Sequence, residues 1–386
     1  MQILSVHNCY QIRGGEDVSW AAEVELLRAQ GHRVEIYEET NDRTGSFNAL
    51  QLAQRTIWSR ESHNIVTQKL QATGCDLMHV QNFFPLISPS IYYAAQAQGV
   101  PVVQTLRNYR LLCPNGLFFR DGQVCEDCLG NSIPYPGIVH SCYRGSRAAT
   151  TATAAMLVTH QSLKTWHNQV DLYIALTQFA RKKFIQGGLP PEKIVVKPNF
   201  VYPDPGMGSG EGGFALYVGR LSVEKGLDTL LTAWEQLETQ VPLKIVGDGP
   251  LAEKVQAIAG QRPNVEWLGR QPMAQVHALM GQAQFLVFPS KWYETFGRVA
   301  VEAFAKGTPV VASDIGAIAE LVEDEHTGIR FSPGDATDLA AKVEWMLAEP
   351  QRLARMRQAA RAEFEAHYTA ASNYQQLMQI YDQVRR

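Results

Sequence analysis

The sequence lacks any long apolar run, and this absence excludes a membrane-spanning helix. No stretch of the chain approaches the roughly 18 apolar residues that such a helix needs. The N-terminal residues become polar directly after QILSV and lack a basic start followed by an apolar core, so they do not match a signal peptide. We therefore expect a cytoplasmic protein, for which weak peripheral contact with a membrane is left open.

An excess of charge of one sign is also lacking. The 35 basic and 38 acidic residues are spread along the chain and give a formal net charge of −3. Without a polybasic stretch, the sequence predicts no nucleic-acid partner. Cysteine is scarce, with 6 residues in the chain. In a reducing compartment these are better explained as thiols or metal ligands than as a disulfide framework.

What the chain has is enough apolar material for two compact cores. Its 386 residues, 45% of them hydrophobic, exceed what one core usually supports. Residues 1–205 and 214–370 each alternate short β-rich runs with helical patterns, and the glycine-rich segment 206–213 predicts a linker between them. The predicted strands are QILSV, HRVEIYE, DLMHV, PVVQTL and DLYIAL, then FALYVG, LKIVG, VEWLG, FLVFPS and PVVAS. We predict an α/β fold of two Rossmann-like, doubly wound domains with parallel sheets.

The strongest motif is KWYETFGRVAVEAFA, which follows the run FLVFPS. It predicts a strand that ends near Ser290 and a helix that begins near Arg298. Gly297 lets the backbone approach a ligand closely, and the free amides of Arg298 and Val299 lie at the positive end of the helix dipole. This helix start therefore suits a phosphate.

Two carboxylates belong to the same motif, Glu294 in the loop and Glu302 in the second turn of the helix. Both can face one cleft, where carboxylates accept hydrogen bonds from sugar hydroxyls. The alternative makes Glu302 a solvated helix residue. Its small and apolar neighbours argue against a solvated face.

Two cations follow the first strand of the second domain, in YVGRLSVEKG. Gly219 and Arg220 lie at the strand end and Lys225 precedes a helix. Open α/β sheets bind ligands at the carboxyl ends of their strands. Each cation at about 4 Å from a departing diphosphate contributes on the order of 4 kcal/mol of attraction at an effective dielectric near ~20. The alternative is two surface cations without a role.

Weaker signals come from the turns IVGDGP and VEWLG, which place Gly247, Asp248, Gly249 and Leu268 just past strand ends. Such turns suit close passage of the chain beside a nucleoside. The same residues also fit plain strand-to-helix turns.

The first domain offers further candidates at strand ends. Gly14 and Gly15 precede a predicted helix with an acidic first turn, and their amides can face a phosphate or a sugar, although a simple turn would look the same. His79 and Asn82 lie at the end of the run DLMHV. A buried structural histidine is the competing explanation for His79.

A loop-rich segment at 107–145 carries four cysteines with the spacing C-x11-C-x2-C-x13-C. They are Cys113, Cys125, Cys128 and Cys142. This spacing of cysteines is typical of a structural zinc site, in which His140 can replace one of the four ligands. Because only one C-x2-C pair is present, buried free thiols or an oxidised pair are equally open.

Taken together, GGE, HVQN, LCPNG, KPNFV, VGRLSVEKG, VGDGP, LGR and ETFGRVAVEAFA resemble, in this order, glycosyltransferase family 4. These enzymes have the GT-B fold and transfer sugars from nucleotide-diphosphate donors with retention of configuration. The match runs over almost the whole chain. The resemblance implies two domains that face a cleft, a C-terminal helix at 371–386 that packs on the first domain, a UDP- or GDP-sugar donor, and a glycan or lipid-linked acceptor.

The resemblance also implies roles for individual residues. Arg220 and Lys225 would hold the diphosphate, Glu302 the ribose, and Glu294 the donor sugar. The implied donor site consists of the catalytic residues Arg220, Lys225 and Glu294 with Gly14, Gly15, Gly219, Gly247, Asp248, Gly249, Leu268, Thr295, Phe296, Gly297, Arg298, Val299 and Glu302. The implied acceptor side consists of His79, Asn82, Arg107 and Asn108. The chain contains no Asp-x-Asp motif, the usual means of holding a divalent ion on the diphosphate, so we expect no metal cofactor in catalysis.

One departure from the family pattern concerns Arg107. After PVVQTL many members have a histidine followed by Asp or Asn, whereas this chain has Arg107 and Asn108. A guanidinium cannot serve as a base at neutral pH, so either another group deprotonates the acceptor or the leaving phosphate accepts the proton in a same-face reaction. Two further hypotheses stay open: a non-catalytic nucleotide-sugar-binding protein, and a GT-B nucleotide-sugar epimerase, which needs no acceptor.

Overall fold

The computed structural model describes residues 1–237 and 241–385. They divide into two compact units. The first comprises Met1–Phe118, Cys125–Asn199 and the chain from Asn373 onward, and the second comprises Phe119–Val124 and Phe200–Ser372. Each unit contains a six-stranded sheet in which every neighbouring pair of strands is parallel. The prediction of two doubly wound α/β domains is confirmed.

The strands and helices alternate along both units. The strands are β1 (Gln2–Cys9), β2 (Arg33–Thr40), β3 (Leu77–Asn82), β4 (Val102–Leu106), β5 (Phe119–Arg120), β6 (Gln123–Val124), β7 (Leu172–Ala175), β8 (Ile194–Val196), β9 (Ala215–Val218), β10 (Leu243–Val246), β11 (Val265–Trp267), β12 (Phe285–Phe288), β13 (Val310–Ser313) and β14 (Gly328–Phe331). The helices are α1 (Gly15–Ala29), α2 (Ala49–Ile57), α3 (Arg60–Thr73), α4 (Ser90–Ala97), α5 (Tyr135–Val139), α6 (Arg147–Ser162), α7 (Thr165–Asn168), α8 (Gln178–Gln186), α9 (Leu227–Gln236), α10 (Ala252–Gln261), α11 (Met273–Gln282), α12 (Arg298–Ala305), α13 (Gly316–Leu321), α14 (Ala336–Ala348), α15 (Pro350–His367) and α16 (Ala370–Val384).

The sheet of the first unit has the strand order β2-β1-β3-β4-β7-β8. Its central strands are apolar and buried; every residue of β3 and β4 is buried. Such strands require helices on both faces. The strand order reverses between β1 and β3, so their carboxyl ends flank the position at which open α/β sheets bind ligands.

The sheet of the second unit has the order β11-β10-β9-β12-β13-β14. The order reverses between β9 and β12, and these two strands pair directly, Ala215 beside Phe285 and Leu216 beside Leu286. Four short strands, β5, β6, β8 and β14, are not among those predicted from the sequence. The apolar run of β14 contains Arg330.

The glycine-rich segment 206–213, predicted as a linker, belongs to the second unit. Three of its amides donate to backbone carbonyls of this unit: Gly208 to Lys306, Gly210 to Gly281, and Gly212 to Gln282. A Cβ atom added to Gly208 would lie 2.2 Å from the Cα atom of Gly281. These glycines therefore permit close packing rather than chain flexibility, a distinction that composition does not reveal.

The last helix, α16, packs into the core of the first unit. Leu377, Ile380 and Tyr381 are buried in the same apolar cluster as Ile3 and Trp20. None of the helices formed by residues 1–237 and 241–385 is long and apolar enough to cross a membrane.

A buried ion pair lies in the first unit. Nζ of Lys197 is 3.3 Å from Oε2 of Glu23, and the two side chains are 2% and 4% exposed. Asn373 of α16 accepts a second hydrogen bond from Lys197 at 3.0 Å. Burial alone would raise the pKa of the Glu23 carboxyl, but the charges of Lys197, His79 and Arg107 and a hydrogen bond from Gln81 together outweigh it and lower that pKa to about 2. The Glu23 carboxyl therefore remains ionised, whereas burial lowers the pKa of its partner Lys197.

We predict that Lys197→Met destabilises the protein by about 3 to 5 kcal/mol, because it leaves the Glu23 charge buried without a partner. Urea denaturation measures the loss. The double variant Glu23→Gln/Lys197→Met should recover most of it. Lys69→Met is the matched control, since Lys69 pairs with Glu35 at the surface of the same unit. A loss for Lys197→Met no greater than for this control would contradict the prediction.

Candidate active site

The two strands at the reversal of the second sheet bring the strongest candidates together. Gly219 and Arg220 follow β9, and Lys225 ends a short 3-10 turn before α9. Glu294 lies in the loop after β12. Because β9 and β12 are parallel neighbours, these loops emerge at the same edge of the sheet. Nζ of Lys225 donates to Oε1 of Glu294 at 2.5 Å.

Glu294 is held in one orientation by its surroundings. Its Oε1 atom also accepts hydrogen bonds from Nε1 of Trp292 at 2.9 Å and from Oγ of Ser290 at 3.1 Å. The Lys225 ammonium lies 5.0 Å from the centre of the Trp292 ring, within cation–π distance. Sequence reasoning gave no role to Trp292 or to the Ser290 side chain, although both residues are close to Glu294 in sequence.

The start of α12 requires a glycine. Gly297 has φ of +130°, and an added Cβ atom would lie 2.9 Å from Cδ1 of Leu321. Within the described parts of the chain, no side chain caps this helix start. Its first amides and the positive end of its dipole are therefore suited to an anion. Phe296, beside Gly297, is buried and packs edge-on against the Tyr368 ring.

Glu302 lies in the second turn of α12 and is 3% exposed. Its Oε1 atom accepts a hydrogen bond from Nε of Arg298 at 2.7 Å. The solvated-helix alternative is therefore excluded. Thr295 and Val299 are half-buried at either side of Gly297.

The remaining second-unit candidates lie at the carboxyl ends of β9, β10 and β11. Gly247 has φ of +140°, and a Cβ atom added there would lie 1.8 Å from the Gly219 carbonyl oxygen, so the backbones meet closely. Asp248 is exposed and accepts from the Gly249 amide at 2.7 Å. The Leu268 amide continues the sheet by donating to the carbonyl of Ile245.

Arg220 is exposed at the end of β9. Its carbonyl accepts a hydrogen bond from the Tyr217 hydroxyl at 2.9 Å, which fixes the backbone at this position. The guanidinium has no hydrogen bond or ion pair with any residue in the ranges that the structure describes. It can therefore turn toward an anion without breaking an internal contact.

Arg107 of the first unit is buried and oriented by two amide side chains. Its Nε atom donates to Oε1 of Gln81 at 2.8 Å, and Nη1 donates to Oδ1 of Asn199 at 3.0 Å. Gln81 in turn donates to Oε1 of Glu23 at 2.6 Å. Sequence reasoning missed Gln81, since only the fold shows what it contacts.

His79 is buried, with both ring nitrogens within hydrogen-bond distance of a partner. Nδ1 lies 2.7 Å from the Tyr381 hydroxyl and Nε2 lies 2.8 Å from the Thr105 hydroxyl. Burial lowers the pKa of His79 to about 4, so the ring is neutral at physiological pH. These contacts agree with the structural explanation of His79, and its acceptor-side role stays a prediction.

Asn82 has a similar role at the end of β3. Its side chain donates to the Asn8 carbonyl at 2.9 Å and accepts from the Phe84 amide at 3.0 Å. Both contacts hold the loop that follows the strand. Asn82 also lines a recess at the carboxyl ends of β3 and β4, and its acceptor-side role stays a prediction.

The paired glycines mark the start of α1, which begins at Gly15. The Gly14 amide donates to Oδ2 of Asp17 at 2.8 Å, so it is engaged within the chain. The ligand-facing role of Gly14 and Gly15 stays a prediction. Gly14 has an ordinary φ of −114°, and no atom lies within 4 Å of an added Cβ. The fold itself therefore does not require glycine at this position.

The four cysteines of the 107–145 segment lie in the first unit, with Cys113 and Cys128 buried and Cys125 and Cys142 half-buried. Burial, and then the charges of the other three, raise the pKa of the Cys128 thiol to about 12. The four thiols thus lie in one region. In the described residues no three of their sulfurs are within 4.8 Å of one another, whereas sulfurs bound to one zinc at about 2.3 Å would be closer. The zinc site stays a prediction.

Two family models match most of the chain. Residues 13–204 match the family model described as Glycosyltransferase Family 4, and residues 209–363 match that of Glycosyl transferases group 1. The chain belongs to glycosyltransferase family 4. The suspected resemblance is thereby confirmed.

Relatives and solved structures extend the comparison. Glycogen synthase of Mycobacterium tuberculosis is 37% identical over 156 residues, 38% of this chain and 36% of that protein. Alpha-D-kanosaminyltransferase of Streptomyces kanamyceticus is 31% identical over 175 residues, 44% of this chain and 45% of that protein. The matches thus span between about a third and a half of these relatives. The structure of Anabaena HepE with UDP and glucose has a TM-score of 0.71 at 22% identity and covers 99% of this chain and 100% of its own, which shows the GT-B fold.

The neutral state of His79 predicts a loss of stability in acid. The unfolded histidine binds a proton near the ordinary pKa of 6.5 and the folded one only near 4, so stability falls as the pH drops between these values. The full loss is on the order of 3 kcal/mol. Denaturation of wild type and His79→Gln at several pH values measures the slope, which should be shallower in the variant. The exposed His367→Gln variant should keep the wild-type slope; equal slopes in all three proteins would contradict the prediction.

Proposed function

We propose that this protein transfers a sugar from a nucleotide-diphosphate donor to a hydroxyl of a glycan or lipid-linked acceptor. The transfer retains the anomeric configuration and uses no catalytic metal. The observation that carries the proposal is the Lys225–Glu294 pair at the reversal of the second sheet, in the same loop system as the uncapped start of α12.

In this proposal these residues bind the leaving diphosphate. As the bond between the sugar C1 atom and the phosphate oxygen breaks, its electron pair stays on the diphosphate. Arg220, Lys225 and the first amides of α12 bind the added negative charge. Glu294 orients the Lys225 ammonium and accepts a hydrogen bond from a hydroxyl of the donor sugar.

The nucleoside would lie along the turns after β10 and β11. Gly247 and Gly249 allow the backbone to pass close to it, and Glu302, fixed by Arg298, would accept from the ribose hydroxyls. We infer a uridine nucleotide, because the HepE structure contains UDP. UDP-glucose is the first donor to test.

We predict that Lys225→Ala and Glu294→Ala each lower UDP release from UDP-glucose by at least ~10²-fold, since each removes a group that binds or orients charge in the transition state. Thermal unfolding should show that both variants fold. Lys244→Ala and Glu266→Ala are matched controls, since they break a surface ion pair of the same unit. Full turnover in both site variants would contradict the assignment of Lys225 and Glu294 to the donor site.

The same assay separates the alternatives. Calorimetry that shows UDP-glucose binding without UDP release would favour a non-catalytic binder, which Arg107 in place of the family histidine motivates. Conversion of the donor sugar without an acceptor would favour an epimerase. Sugar transfer that depends on an added acceptor supports the proposal.

We further predict that EDTA leaves the rate of UDP release unchanged, because side-chain cations and helix amides replace a divalent ion at the diphosphate. The measurement compares initial rates with EDTA and with added Mg²⁺ or Mn²⁺. A rate that falls in EDTA and returns with either ion would contradict metal independence. Thermal unfolding in EDTA, recorded in parallel, distinguishes loss of a structural metal from loss of a catalytic one.

A further inference from the structure

One face of β1 places a histidine and a cysteine beside the start of α1. Successive side chains of a strand point to opposite faces, so Ser5, His7 and Cys9 share one face of the sheet. Helix α1 covers this face: Nε1 of Trp20 donates to the Ser5 hydroxyl at 2.9 Å, and its indole stacks on the His7 ring with centroids 4.6 Å apart. Asp17, in the first turn of α1, therefore lies beside His7 and Cys9.

The polar atoms of these side chains lie close to the separations of ligands around one metal ion. Nε2 of His7 is 2.8 Å from Oδ1 of Asp17. Sγ of Cys9 is 3.1 Å from Oε1 of Glu38, the residue of β2 that pairs in register with His7. One ligand atom each from His7, Cys9 and Asp17 lies within 4.8 Å of the other two. Atoms bound to one zinc ion at about 2.0 to 2.3 Å lie roughly 3 to 4 Å apart, so small movements close such a site.

Internal hydrogen bonds do not use the whole of the His7 ring. The side chain is 0% exposed, and in the parts of the chain that the structure describes its Nδ1 atom has no hydrogen-bond partner. Buried polar atoms nearly always have a partner, so this nitrogen requires an explanation. A neutral imidazole has one N–H group and one lone pair, and the hydrogen bond to Asp17 satisfies only one of them. The ring therefore has a nitrogen left for a ligand.

Asp17 is held in position by the backbone around it. Its Oδ2 atom accepts from the Gly14 amide at 2.8 Å, and its Oδ1 atom accepts from the Tyr10 amide at 3.3 Å. Hydrogen bonds of this kind orient the carboxylates that bind metal ions. Asp17 and Cys9 are both buried, so the cluster is shielded from water. The carboxylate is thus preorganised before any ion binds.

The kinds of atom in this cluster select the ion. Mg²⁺ and Ca²⁺ prefer ligand sets made of oxygen. An imidazole, a thiolate and carboxylates together suit Zn²⁺, which binds four such ligands in tetrahedral geometry. The carboxyl groups of Asp17 and Glu38 supply two of these four ligands.

We propose that His7, Cys9 and Asp17 bind a zinc ion, with Glu38 as the fourth ligand. The Cys9 sulfur binds as a thiolate, and its proton passes to solvent. The ion joins β1 and β2 to the start of α1, and it fixes both ends of the loop 10–14 between β1 and α1. The site lies wholly in the first unit and is independent of the proposed function.

The first test measures the zinc content of the full chain. Protein stripped with EDTA is loaded with Zn²⁺, freed of excess ion on a desalting column and analysed for metal. We expect Cys9→Ser and His7→Gln each to retain about one zinc ion per chain less than wild type, or to hold it at least ~10-fold more weakly against a competing chelator. Cys75→Ser is the matched control, because Cys75 is a buried cysteine of the same unit outside the site, and it should retain the wild-type content.

The second test uses Co²⁺ in place of zinc to identify the ligands. A thiolate bound to Co²⁺ gives a charge-transfer band in the near ultraviolet, and its intensity follows the number of bound sulfurs. Cys9→Ser should lose the contribution of one thiolate, and His7→Gln should change the visible bands of the ion. Cys128→Ser separates this site from the four-cysteine segment 107–145, and it should leave both of these contributions in place.

The outcomes are distinguishable. Zinc content and cobalt spectra that are the same in wild type, Cys9→Ser and His7→Gln overturn the proposal. Loss of all bound zinc in Cys128→Ser, with none lost in Cys9→Ser, assigns the ion to the segment 107–145 and overturns it as well. Thermal unfolding shows which variants fold; if His7→Gln does not, Cys9→Ser, which replaces one sulfur atom by oxygen, decides the result. UDP release enters none of these measurements, so a failure of the proposed function leaves them unchanged.

Discussion

The ion pair between Lys225 and Glu294 is the interaction on which the candidate donor site depends. It exists because β9 and β12 are neighbours at the reversal of the second sheet, so residues 69 positions apart in sequence meet at one edge. The two charges cancel in net terms. The pair therefore fixes the position of the Lys225 ammonium, and in the proposed donor site the exposed Arg220 and the amides at the start of α12 add positive charge that no carboxylate cancels.

The sequence predicts those features that depend on local spacing. Apolar runs marked the long strands, and the interval from Glu294 to Glu302 placed both carboxylates around one helix start. The sequence does not predict contacts between residues that are far apart along the chain. The contact between Lys197 and Glu23 joins residues 174 positions apart, and nothing near His79 in sequence shows that Tyr381 bonds to its ring. Glycine content at 206–213 does not distinguish a flexible linker from a closely packed segment, because glycine allows both.

The charged side chains around Arg107 in the first unit are buried, whereas Arg220 in the second unit is exposed. Arg107 is buried and fixed through Gln81 to Glu23, which is paired with Lys197. Such buried charges add little net stability, because desolvation offsets their attraction. What they provide is one defined position for the Arg107 guanidinium. Since Asn373 of α16 also bonds to Lys197, the C-terminal helix contributes to that position.

Two carboxylates of the chain lie in different surroundings. Glu294 accepts hydrogen bonds from the Lys225 ammonium, the Trp292 indole and the Ser290 hydroxyl, so one cation and two neutral donors fix its position. Glu16 accepts hydrogen bonds from the neutral Asn108 and Tyr10 side chains, and burial raises the pKa of its carboxyl. The same side-chain type is thus oriented by a cation in the second unit and by neutral donors in the first, a difference that depends on which strands and helices bring the partners together and that spacing along the chain does not show.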